Sequence, residues 1–243
     1  MDRLLAPLLS PLLIAQALRL RARALRLPEP PGPRRGEVGR GPDLRLLILG
    51  DSSAAGVGAP HQEEALSGQL AAALAPHCRL SWQLEARTGA TSRSTLTDLE
   101  TLPRQPFDIV LLVLGVNDVT SFAPLPRILA DRERIAQALS DRFDAPMLII
   151  TGIPPLGQFP LLPAPLRWIL GHRATRLERM LATRAECAGH PYLPFTMPMQ
   201  RNLMAEDGFH PSPLAYARWA EALQPHLLSL PVSAREPDEP PQH

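Results

Sequence analysis

From residue 44 onward, short apolar runs alternate with stretches long enough for helices, and this alternation constrains the fold more than any other property of the chain. The runs fall at 44–50, 80–87, 108–114, 147–152 and 191–195. Helical stretches lie near 63–75, 93–101, 127–142, 164–188 and 211–229. The first run, with Leu44, Leu46, Leu47, Ile48 and Leu49, is almost uninterrupted, as in a parallel strand covered on both faces. Five strands alternating with helices predict an α/β domain with a parallel sheet, right-handed crossovers and helices on both faces. A chain of 243 residues suits one such domain and leaves little room for a second.

The domain is expected over 44–230, after an N-terminal arm and linker (1–43) and before a proline-rich, acidic tail (231–243) that should fray. Residues 4–18 are apolar but carry Pro7 and Pro11 and fall short of the ~20 residues of a spanning helix. Residues 1–40 hold eight arginines against three acids, +5, which leaves seventeen against twenty-one, −4, for the rest. Residues 4–26 thus read as an interfacial segment for peripheral contact with anionic lipid, as a signal peptide, or as an arm packed on the domain or disordered. The corresponding locations are the cytoplasm with membrane association, or secretion or the periplasm. Residues 27–42, rich in proline and glycine, read as a linker. No lysine occurs, which excludes lysine-based chemistry and a G-x-x-x-x-G-K phosphate loop. Cys78 and Cys187 lack metal-ligand spacing, and neither a metal, a cofactor nor a nucleic-acid partner is expected.

The first strand ends on Gly50-Asp51-Ser52, where an open parallel sheet places its ligand crevice. Asp207-Gly208-Phe209-His210 precedes the last helix, with a carboxylate three residues ahead of an imidazole. Such a pair can orient one ring nitrogen while the other activates a serine. Gly89 follows the second strand, where a bare N–H can meet an oxyanion, and Asn117 follows the third, where an amide donor can do the same. Each feature alone is compatible with an ordinary turn; together they form an ordered set at strand ends.

Gly50-Asp51-Ser52, Gly89, Gly115-Val116-Asn117-Asp118 and Asp207-Gly208-Phe209-His210 resemble the four sequence blocks of the SGNH, or GDSL, hydrolase family over residues 44 to 229. The resemblance implies a flavodoxin-like three-layer α/β/α sandwich with a five-stranded parallel sheet. It implies Ser52 as nucleophile, His210 as base and Asp207 as its orienting acid, with the Ser52 and Gly89 N–H groups and the Asn117 side chain as oxyanion donors. Ser53 stands where the family's name has leucine.

The implied activity is that of a cofactor-independent serine esterase or lipase acting on acyl esters, with lysophospholipids and thioesters admissible. The segment 153–170, with Phe159, Leu161, Leu162, Trp168 and Ile169, reads either as a lid or acyl-chain wall or as a connection that buries itself. A carbohydrate acetylesterase, a flavodoxin-like binding module for an anionic ligand and an idle membrane-surface scaffold are the rival readings.

Overall fold

In the computed structural model, residues 15, 16, 19, 25–143 and 147–229 are described. The strands are β1 (Arg35–Val38), β2 (Asp43–Gly50), β3 (Arg79–Ala86), β4 (Ile109–Val113), β5 (Met147–Thr151) and β6 (Tyr192–Leu193). The helices are α1 (Ser52–Ala55), α2 (Leu66–Leu74), α3 (Ser92–Leu99), α4 (Val116–Thr120), α5 (Leu125–Arg142), α6 (Leu166–Cys187) and α7 (Pro213–Leu228). One sheet contains all six strands in the order β1-β3-β2-β4-β5-β6.

The two-residue period of a strand sorts the apolar runs onto two faces. Leu46 and Ile48 of β2 and Leu111 and Val113 of β4 pack with α2 and α7 through Leu66, Leu70, Tyr216 and Trp219. Leu47, Leu49, Val110 and Leu112 face the other way, against Leu99, Ile135, Leu139 and Phe143. A third cluster joins Val119, Ile128, Leu156, Phe159, Leu162, Leu170 and Leu177 around the top of α6. The molecule is thus a three-layer α/β/α sandwich.

The expected five-stranded parallel sheet needs one correction, since β2 to β6 are parallel but β1 adds a sixth strand, antiparallel to β3. β1 lies inside the stretch expected to be a linker. Its sequence, Arg-Gly-Glu-Val, has no apolar alternation and is mostly exposed, because an edge strand holds by its backbone and tolerates charge. Gly36 lets the indole of Trp82 lie close over the strand, within 3.3 Å of where a Cβ would stand.

Register fixes where the chemistry can sit. Gly50 pairs with Ala86 on one side and with Val113 on the other, so the carboxyl ends of three neighbouring strands are flush. Most of residues 4–26, expected as a lipid-contacting arm or signal peptide, and all of the tail (231–243) lie outside the described residues. Among those described, no helix is long and apolar enough to cross a membrane.

Candidate active site

Asp51 leaves β2 and caps α1, its carboxylate accepting the Ser53 N–H at 3.0 Å, and this sharp strand-to-helix turn brings Ser52 to the crevice. The Ser52 side chain is almost enclosed but lines a cavity of about 210 Å³. His210 Nε2 lies 2.8 Å from Ser52 Oγ, and His210 Nδ1 lies 2.6 Å from Asp207 Oδ2. In the neutral tautomer with its proton on Nδ1, the ring donates to Asp207 and accepts from Ser52. Asp207 also builds its own turn, its Oδ1 accepting the Phe209 and His210 N–H groups at 2.9 and 3.0 Å. Gly208 takes a φ of +62° beneath Leu161, so a side chain there would be both strained and crowded.

Two carboxyls at the site are pushed in opposite directions. Burial alone would raise Asp207, but the hydrogen bonds from the His210 ring and from the His210 and Phe209 backbone outweigh it and hold the group below the usual carboxylate range. Asp51 is wholly buried, and burial pushes its carboxyl up to about 6. The Ser53 N–H and the His210 and Arg132 charges oppose that rise.

The second and third strand ends are tied together. Asn117, in α4, donates from Nδ2 to the Ala90 carbonyl at 3.0 Å, which leaves its second amide hydrogen for the cavity that Asn117 lines. Asp118 accepts from Ser92 twice, from N–H at 2.9 Å and from Oγ at 2.6 Å. The buried Arg132 approaches Asp118 at 3.5 Å, and burial lowers the pKa of its guanidinium. Gly89 lies in the turn between β3 and α3 that these bonds fix. Among the described residues, neither its N–H nor that of Ser52 donates to another protein group. On the other flank Glu29 accepts the Thr88 N–H at 2.6 Å and the Thr88 hydroxyl at 2.8 Å. Burial alone would raise Glu29, but these bonds and Arg34 bring it below the usual range.

Of the five residues singled out from the sequence, Ser52, His210 and Asn117 line the cavity, Asp207 stands behind His210 in hydrogen-bonded sequence, and Gly89 follows Thr88, which lines the cavity too. The walls differ from expectation. Of the 153–170 residues picked out, only Phe159 lines the cavity; Leu162 is core, while Leu161 and Trp168 are exposed. The main apolar wall comes instead from Phe195, Met197 and Met199 with Met204, Phe209 and Trp219. The alternation Phe195-Thr196-Met197-Pro198-Met199 was a readable signal of a one-faced extended segment. Asp118 falls in the Gly115-Val116-Asn117-Asp118 block with no role read for it, and Ser92, Arg132 and Glu29 carried no signal at all. No cluster of three or more histidine, cysteine or acidic side chains suited to a metal occurs among the described residues.

The profile of the GDSL-like lipase/acylhydrolase family matches residues 48–218. GDSL-like esterase Rv1075c of Mycobacterium tuberculosis is 29% identical over 193 residues, a match that spans 74% of this chain and 60% of that protein. Among solved structures, a member of the lipolytic protein G-D-S-L family from Veillonella parvula superposes with a TM-score of 0.61 at 15% identity, over 77% of this chain and 100% of the other. Est24, a carbohydrate acetylesterase from Sinorhizobium meliloti, superposes with a TM-score of 0.58 at 17% identity, over 76% of this chain and 99% of its own. At such identities these two structures speak for the fold alone.

Proposed function

We propose a reaction from one premise: the chain belongs to the GDSL-like lipase/acylhydrolase family. It is a hydrolase of the esterase and lipase kind, and the reading advanced is hydrolysis of carboxylic esters of apolar acids through an acyl-enzyme on Ser52. The observation that carries it is the unbroken relay from Ser52 Oγ through the His210 ring to Asp207, at 2.8 and 2.6 Å.

In this reading Ser52 Oγ attacks the ester carbonyl while its proton passes to His210 Nε2, and the Asp207 carboxylate stabilises the imidazolium through Nδ1. The carbonyl oxygen becomes an oxyanion, held by the Ser52 and Gly89 N–H groups and the free hydrogen of Asn117 Nδ2. As the carbonyl reforms, the bond to the alcohol oxygen breaks and that oxygen takes the proton from His210. Water then repeats the sequence, giving its proton to His210 and releasing the acid, with Ser52 reprotonated.

The choice of an apolar acid rests on the cavity wall. Phe159, Phe195, Met197, Met199 and Trp219 offer surface for an acyl chain and few donors or acceptors for a sugar ring. A fluorophosphonate should label Ser52, and Ser52→Ala should lose both labelling and ester hydrolysis, the latter on the order of 10⁴-fold or more, while remaining folded. Full activity in folded Ser52→Ala would end the mechanism. A p-nitrophenyl ester series should favour chains longer than acetyl; a preference for acetate would remove the acyl-chain reading and leave the serine chemistry standing.

A further inference from the structure

The segment ahead of β1 lies outside residues 48–218, yet it is bound into the site. Its backbone is anchored by bonds from Gln62 to Pro30 and Pro31 and from the Leu84 N–H to the Arg34 carbonyl at 2.7 Å. From that anchor the Glu29 carboxylate takes both donors of Thr88, while Arg34 bonds the other Glu29 oxygen at 3.1 Å and also donates to the Ala86 carbonyl. Residues 86 and 88 are thereby fastened to 29 and 34.

The Gly89 N–H donates to no protein group among the described residues. Its φ is +81°, and nothing stands within 4 Å of the place a Cβ would occupy. The direction of its N–H is set by the peptide plane it shares with Thr88 and by the next residue, Ala90, whose carbonyl Asn117 holds. The turn itself is closed by the Ala90 N–H on the Arg87 carbonyl at 3.1 Å, and two clamps hold that turn from outside: Asn117 from the α4 side and Glu29 from the N-terminal side.

We propose that Glu29 is a positioning residue for ester hydrolysis, which holds Thr88 so that the Gly89 N–H points at the developing oxyanion. This rests on the oxyanion role read for Gly89 above. A carboxylate suits the task because charge-assisted bonds are short and strong, and one oxygen here serves two donors of a single residue. Donors aimed in advance need not reorganise when charge develops.

The test uses the full chain and a soluble p-nitrophenyl ester. Removal of a whole oxyanion donor costs 10²–10³ in kcat, so loosening one should cost less: Glu29→Ala should lower kcat about tenfold with KM changed less than about twofold. Glu29→Gln, whose amide oxygen still accepts from Thr88, should stay within about threefold of the parent. The ³¹P resonance of a phosphonate on Ser52, whose phosphoryl oxygen occupies the oxyanion position, should move in Glu29→Ala and stay in place in Glu29→Gln. Should Glu29→Ala fail to fold, Thr88→Val removes one of the two bonds and should show a smaller kcat loss with the same ³¹P displacement. An unchanged kcat in the folded variant, or a kcat loss with an unmoved resonance, overturns the positioning role. If Ser52 of the parent protein takes up no phosphonate, the serine-hydrolase reading itself falls, a result separate from either of these.

Discussion

Asp51 immediately precedes Ser52 with its carboxyl wholly inside the protein, and its pKa rises from the ordinary 3.8 to about 6 because of that burial. Between these values the folded chain keeps a proton that the unfolded chain has released. Stability therefore falls as pH rises through about 4 to 6 and levels off above, by roughly 3 kcal/mol for a shift of about two units. Asp51→Asn keeps an N-cap acceptor for Ser53 and removes the ionisation. It should be more stable than the parent by roughly 3 kcal/mol at pH 8 and equal to it at pH 4, as read from urea unfolding. Asp207 has the opposite sign: its lowered pKa contributes stability above the unfolded value that is lost as acid protonates it. The grouping of Ser52, Asp207 and His210 was legible because few residue types suit the serine chemistry proposed and because they fall at strand ends or beside the last helix. The burial of Asp51 was not, since it depends on what packs over the turn.

At the scale of elements, α4 has five residues and cannot hold a helical turn by its own hydrogen bonds. It is fixed from outside, by Ser92 on Asp118 and by Arg132 behind it. Asp118→Ala would leave the Arg132 guanidinium, 6% exposed, without its counter-charge, and should cost about 3–5 kcal/mol in chemical unfolding. If the loss is below about 1 kcal/mol, neither the 3.5 Å pair nor the two Ser92 bonds to Asp118 hold α4 in place. Strands β2 and β4 could be read from their apolar runs, and α5 and α6 from length and periodicity. The ties between loops could not, because Ser92 and Asp118 are 26 residues apart and Glu29 and Thr88 are 59 apart, in stretches that individually look like ordinary loop. The segment 153–165 buries Leu156 and Leu162 in the third cluster, so the self-burying alternative describes most of it better than a lid does.

For the molecule as a whole, strand–helix alternation was enough to fix the layers and to put the crevice at the carboxyl ends of β2, β3 and β4. It could not show where the sheet ends, because β1 announces itself by neither apolar residues nor a turn of its own. That edge has a consequence for solubility. β3 carries eight residues with Leu80, Trp82 and Leu84 on its inner face, and β1 pairs with Leu80 to Gln83 along its outer row of N–H and C=O groups. Trimming the protein to the limits that family likeness suggests would uncover this long, regular edge, a template for pairing with a second chain. A variant lacking residues 1–41 should therefore self-associate as its concentration rises, visible as growing light scattering and faster sedimentation, where the full chain stays dispersed. If the shortened protein remains monomeric, β1 does not guard the edge, and the short polar strand is an ornament of the sheet rather than its border.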